Sequence, residues 1–303
     1  MNFLITKVST SLIAKINYLL KLSRYRFWLY LGGTYLTGFI IGANSLTNFT
    51  TGKFLLHLIY FMIPANILLY GINDLFDQDT DIFNHKKEDK EVKINSSRDV
   101  FYLKSLLILC YFVSTFLLLS YDNFNEIILF LSFIILSTIY SLPPLRLKAR
   151  PIFDFSSNIL YFIPGILGYY QNTGIMPPIL TWIGLYCFTS AMHLFSAIPD
   201  ISYDRKASVI TTAVKLEFNN SLILCLIFWL SFSLIFSFYY RFLFPLSILL
   251  LIYPLIPLYI LITKKENIDQ IYWYFPYING IVGFIISITM GYPYLIELIE
   301  LIF

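Results

Sequence analysis

An all-α, polytopic membrane bundle is the fold this sequence predicts, and three observations predict it. Apolar side chains make up 58% of the 303 residues and charged ones 13%, with a mean hydropathy of +0.72, an imbalance that soluble globular chains do not carry. The apolar residues gather in runs long enough to cross about 30 Å of hydrocarbon as helices. Basic residues fall almost entirely in alternate connections between those runs, the pattern that orients membrane proteins.

Runs of spanning length lie near 27–46, 54–73, 101–120, 125–142, 155–172, 179–198, 220–240, 242–262 and 277–299. About nine transmembrane helices are therefore expected, the pair over 220–262 being divided only by a short break near Arg241. With the N-terminus in the cytoplasm, 19 of the 21 Lys and Arg residues lie on the inner side, leaving Lys53 and Arg241 outside. The expected location is the cell (inner) membrane, multi-pass, with a cytoplasmic N-terminus.

Residues 1–22 lack the compact basic region and small-residue cleavage site of a signal peptide. Ile5, Val8, Leu12, Ile16 and Leu19 recur at helical spacing, which predicts an interfacial helix on the inner leaflet. No extramembrane segment is long enough to fold alone, so 1–303 reads as a single transmembrane domain. Cys110, Cys187 and Cys225 sit in apolar runs without metal-ligand spacing and read as small buried hydrophobes. A net charge of +3 gives no reason to expect a nucleic acid partner; the lipid bilayer is the expected surroundings.

Behind the second run stands Asn73-Asp74-Leu75-Phe76-Asp77-Gln78-Asp79-Thr80-Asp81. Carboxylates about 4 Å apart repel by about 1 kcal/mol in water and about 4 at an effective dielectric of ~20. A chain that gathers four of them beside a bilayer points to a divalent cation that neutralises them. On a helix Asp74, Asp77 and Asp81 share one face while Asp79 points away. An EF-hand register over the same acids fails, because Ile82 stands where that loop needs Gly.

Four spans later, Ser196-Ala-Ile-Pro-Asp200-Ile-Ser-Tyr-Asp204 supplies a second pair, with Asp200 and Asp204 one turn apart. Four crossings return the chain to its starting side, so both motifs are expected at the cytoplasmic face. The connection Tyr140-Ser-Leu-Pro-Pro144-Leu-Arg146-Leu-Lys148-Ala-Arg150 lies on that face too, and its proline pair forces a turn that presents three cations. Acids on two helix ends and a basic loop between them are the parts a metal-bound diphosphate calls for. Inside the spans, Asn66 and His193 are polar where polarity is expensive. His193 precedes Asp200 by two helical turns, and both residues are expected to face a cavity.

These residues resemble the UbiA superfamily of membrane prenyltransferases. Its N-D-x-x-D-x-x-x-D motif is met by Asn73, Asp74, Asp77 and Asp81, and its D-x-x-x-D by Asp200 and Asp204. Its Y-S-x-P-P-x-R-x-K loop is met by Tyr140, Ser141, Pro143, Pro144, Arg146 and Lys148.

The resemblance implies a helical bundle around a central cavity and an enzyme that moves an allylic prenyl group from its diphosphate to a lipophilic acceptor. Asp74, Asp77, Asp81, Asp200 and Asp204 are then the Mg²⁺ ligands and catalytic core. Asn73, Tyr140, Arg146, Lys148, Arg26 and Lys206 serve the diphosphate. Ser23-Arg24-Tyr25-Arg26-Phe27-Trp28, Pro64-Ala65-Asn66 and Ser196-Ala-Ile-Pro-Asp200-Ile look most like the carotenoid branch, the lycopene elongases. Ser208 and Lys215-Leu-Glu217 depart from the family's usual loop, and an aromatic quinone precursor is the alternative acceptor. An ion-coupled transporter, the reading from another class, calls for acids near the bilayer midplane, whereas here they cluster at helix ends.

Overall fold

The computed structural model describes residues 17–76, 96–239, 246–264 and 268–302, and every regular element among them is helical. In chain order the main helices are α1 (Thr34–Gly42), α2 (Gly52–Met62), α3 (Pro64–Phe76), α4 (Ser97–Leu119), α5 (Phe124–Ser141) and α6 (Ile163–Thr173). They continue with α7 (Ile179–Ala197), α8 (Ile201–Lys206), α9 (Thr212–Tyr239), α10 (Ile252–Thr263) and α11 (Ile268–Ile302). Of the expected interfacial helix over 1–22, residues 17–22 are described and are helical; the rest lies outside the described residues.

Among the described residues, seven stretches are long and apolar enough to cross a membrane: Gly52–Phe76, Ser97–Leu119, Phe124–Ser141, Ile179–Lys206, Thr212–Tyr239, Leu246–Thr263 and Ile268–Glu297. The runs at 27–46 and 155–172 are helical but broken, so uninterrupted helices among the described residues do not make up the expected nine. The first starts at a left-handed Arg24 (φ 47°), passes a 3-10 turn over Tyr25–Phe27 and a π turn over Leu29–Gly33, and only then becomes α1. The other starts at Ile152 (φ 74°), makes a short helix over Phe153–Ser156 and a 3-10 turn, and settles into α6. Hydropathy measures length of apolar chain and is blind to such breaks.

α2 and α3 form one span interrupted at Ile63, because Pro64 cannot donate to the preceding turn. Asn66 repairs the break. Its side-chain amide donates to the carbonyls of Phe61 and Met62 at 2.8 and 3.0 Å.

The broken pieces meet each other. α1 packs along α6, and the small residues Gly38, Gly42, Gly165 and Gly168 let the two backbones approach closely. A Cβ on Gly38 would stand 1.9 Å from the Gly165 carbonyl oxygen, and one on Gly168 2.6 Å from that of Tyr35. Around this pair one aromatic core forms from Tyr35, Phe39, Phe61, Phe130 and Phe133. A second core, with Phe195, Trp229, Tyr253 and Phe275, joins α7, α9, α10 and α11. The outward side chains are apolar as well, Leu119 at 80% exposure and Ile262 at 72%, which suits a surface facing lipid.

Two polar ties fix α2–α3 parallel to α5. At their starts Lys53 Nζ donates to both carboxylate oxygens of Glu126, at 2.9 and 2.8 Å. At their ends Ser141 donates to Asn73 Oδ1 at 3.0 Å. The Lys53 end thus lies a membrane's thickness from the Asn73 end. Beside it His57 meets the Tyr121 hydroxyl, and burial together with the Glu126 charge holds that hydroxyl protonated, well above its ordinary range.

Candidate active site

Asn73 is the joint from which the site is built. It sits in the last turns of α3, and its Oδ1 accepts from Ser141 at the end of α5 and from Lys148 Nζ in the basic loop. The loop reaches it because Pro143 and Pro144 end α5. Arg146 takes a left-handed turn (φ 37°), and Leu147–Ala149 then closes a 3-10 turn. The cation is so delivered to the helix that carries the first acidic motif.

Asp74 is buried and pairs with Arg24, Nη2 to Oδ1 at 2.6 Å. Arg24 also lies over the Tyr70 ring, 4.6 Å from its centre. A salt bridge this sheltered depends on both partners, since removing one leaves an uncompensated buried charge. Asp77 and Asp81 lie outside the described residues. Among the described residues no three acid or imidazole groups converge on one point as a complete metal site.

The second motif follows a break in the same helix. Pro199 interrupts α7, Ile198–Asp200 forms a 3-10 turn, and α8 carries Asp204. Asp204 accepts from Thr211 at 3.2 Å and feels the charges of Asp200, Asp154 and Lys148. Asp154, fully buried, ties the basic loop to this region: it accepts from Thr212 N and Oγ1 at 2.5 and 2.6 Å and from Phe155 N at 2.9 Å. With three donors aimed at it, this carboxylate is held by the fold and not by a ligand.

Tyr272 of α11 bridges the two acidic sides. Its hydroxyl bonds Ser196, and Asp200 and Arg24 both lie within electrostatic reach of it. Tyr70 and Tyr161 join their hydroxyls at 3.3 Å, and the Tyr30 ring meets Tyr161 edge-on, 6.1 Å between centres. Tyrosines from four segments thus wall the space between the Asp74 side and the Asp200 side. Tyr140 reaches across from α5 to His193 of α7, with Oη and Nδ1 3.5 Å apart.

Three further residues singled out in the sequence have these surroundings in the structure. Arg26, expected at the diphosphate, turns instead to α11, donating to the Trp273 carbonyl at 2.7 Å with its guanidinium 3.5 Å from the centre of that ring. The arginine two residues earlier takes the place at Asp74. Asn66, expected to face the cavity, is fully buried at the α2–α3 break. Lys206 ends α8 exposed. Arg24, Asp154 and the tyrosine wall were not singled out. Their signal lies in pairing across elements, which spacing along one helix does not carry.

The acidic groups among the described residues on its two sides, Asp74, Asp200 and Asp204, offer carboxylate oxygens, donors that suit a hard divalent ion such as Mg²⁺. The cysteines, which would favour a softer metal, are all free and buried in helices elsewhere. Carboxylates thus stand on two sides of this space, with Lys148 and Arg24 among them. What fold and site define is a polytopic helical membrane enzyme with a paired acidic centre at one end.

The UbiA prenyltransferase family matches residues 31–288. The chain is 37% identical over 274 residues to a lycopene elongase/hydratase of Haloarcula japonica, covering 90% of each chain, and 35% identical to one of Halobacterium salinarum, covering 89% of this chain and 96% of that one. A UbiA homolog from Archaeoglobus fulgidus bound to DMAPP and Mg²⁺ has the same fold, with a TM-score of 0.67 at 21% identity over 90% of this chain and 99% of that one. The chain belongs to the UbiA prenyltransferase family, and its curated relatives match the carotenoid branch seen in its motifs.

Proposed function

We propose that this enzyme transfers a five-carbon allylic group from dimethylallyl diphosphate to the end of a lycopene-like polyene in the bilayer, with Mg²⁺ between the two acidic motifs. The observation that carries the acceptor is the 37% identity across nine-tenths of both chains to a lycopene elongase/hydratase. The relative's name includes hydration, so capture of water by the product cation belongs to the same reading. The active site is taken to face the cytoplasm, where the basic residues cluster.

Asp74, Asp77 and Asp81 hold metal on one side and Asp200 and Asp204 on the other. When bound, Mg²⁺ neutralises the charge that gathers on the departing diphosphate. Lys148, held by Asn73, and Arg146 bind phosphate oxygens, the arginine with its planar fork. Arg24 keeps Asp74 in place. As the allylic C–O bond breaks, the faces of Tyr70, Tyr161, Tyr272 and Tyr30 stabilise the carbocation, each cation–π contact contributing about 1–2 kcal/mol where water is excluded. The terminal double bond of the polyene then supplies the electron pair for the new C–C bond.

The test offers lycopene, hydroxybenzoate and homogentisate side by side to the purified protein in vesicles with Mg²⁺ and labelled dimethylallyl diphosphate. Homogentisate is included because the chain is also 28% identical, over 52% of its length, to a probable homogentisate phytyltransferase of Oryza sativa. Label is expected in an elongated carotenoid, with pyrophosphate released in step. Label in a prenylated phenol and none in the carotenoid would overturn the assignment of the acceptor.

A further inference from the structure

Prenyl transfer to an alkene leaves a second problem after the bond is made, because the acceptor becomes a carbocation and must lose a proton. A carboxylate already committed to metal is a poor candidate for that task, and the site needs a base that is not itself a metal ligand. We infer that His193 is that base, taking the proton from the carbon next to the new cation, or from the water that adds to it. The inference rests on the proposed transfer reaction.

Position and partners support the assignment. His193 stands two helical turns above Asp200 on α7, which places it deeper along the helix than the metal-binding acids. It is partly buried. Tyr140 of α5 meets it edge-on, with ring centres 6.3 Å apart, and sets the Nδ1 side at 3.5 Å from its hydroxyl. In the tautomer with Nδ1–H donating to the Tyr140 oxygen, Nε2 is the unprotonated nitrogen and is left to take a proton; no hydrogen bond of Nε2 falls among the described residues. The charged groups that face it are Lys148 of the basic loop and Asp154 of the helix after that loop. Asp154 is already satisfied by Thr212 and Phe155. Tyr272, bonded to Ser196 one turn on from His193, closes the same space from α11.

The electrons balance without another reagent. The allylic C–O pair leaves with diphosphate, and the polyene π pair makes the C–C bond. The pair of the adjacent C–H bond becomes the new double bond as its proton moves to Nε2. In the hydrating branch a water lone pair makes the C–O bond, and the water's proton moves to the same nitrogen. The imidazolium passes its proton to water at the cavity mouth and the base is restored.

The experiment measures steady-state turnover of dimethylallyl diphosphate and lycopene in vesicles by wild type, His193→Gln and His193→Ala, each checked for an unchanged melting temperature. Loss of a general base predicts kcat about 100-fold lower in both variants, KM for the diphosphate within about twofold of wild type, and partial recovery of His193→Ala by added imidazole. His193→Gln keeps a polar group of similar size, so it carries the test if the alanine variant does not fold. A glutamine variant within about threefold of wild type would overturn the assignment while the transfer reaction stands. A wild type that leaves the polyene unprenylated would bring down the proposed function and this inference together.

Discussion

Asp200→Asn is expected to lower kcat by at least about 10³-fold while the protein folds as before. The change removes one charge and almost no volume. If Asp200 holds metal against the leaving diphosphate, about 4 kcal/mol of transition-state stabilisation is lost, and each 1.36 kcal/mol is a decade of rate. Asp74→Asn is expected to be as inactive and, unlike Asp200→Asn, less stable. Its carboxylate also neutralises Arg24 at 2.6 Å in a sheltered pair, and breaking such a pair from one side costs about 3 kcal/mol or more. Pyrophosphate release and thermal unfolding in detergent, measured on both variants, separate the two effects. Turnover within about tenfold of wild type in Asp200→Asn would remove that residue from the metal site.

Gly38→Ala is the expected large effect on folding. Its new methyl would stand 1.9 Å from the Gly165 carbonyl oxygen and 2.6 Å from the carbonyl carbon, and neither is a side chain that can rotate away. α1 and α6 must therefore separate, losing the close packing that holds two broken spans together in lipid. Overpacking of this kind costs about 1–3 kcal/mol and more where backbone is struck. A clear fall in melting temperature is expected, with activity lost in proportion to the folded fraction. Gly283→Ala is the control: a Cβ there meets nothing within 4 Å, and alanine in a helix interior is favoured over glycine by about 0.5–1 kcal/mol. Equal melting temperatures for Gly38→Ala and wild type would contradict the close helix contact.

Much of this was legible because membrane helices announce themselves by length and their ends by charge. The acidic motifs and the Pro143–Pro144 turn were readable for a related reason: local chemistry dictates them, whatever surrounds them. The breaks in the first and fifth spans were not. Pro164 and the Gly32–Gly33 pair hint at irregularity, but a left-handed Arg24 or Ile152 follows from tertiary packing.

The different surroundings of Arg24 and Arg26 have the same origin. Two cations two residues apart on a regular helix point to different sides, and nothing local tells which side holds the site. The answer came from Trp273 and Tyr277, some 250 residues along the chain, whose rings claim Arg26. The role of Asp154 was equally hidden, since its partner Thr212 lies 58 residues away.

The central claim is that the two acidic motifs serve one diphosphate through metal. Mn²⁺ in place of Mg²⁺, titrated into the protein with inorganic pyrophosphate and followed by electron paramagnetic resonance, tests it most directly. Wild type is expected to take up two magnetically coupled Mn²⁺ ions per chain only when pyrophosphate is present, and Asp74→Asn and Asp200→Asn to lose the coupling, each from its own side. Pyrophosphate-independent binding, or coupled ions that survive in Asp200→Asn, would contradict the account.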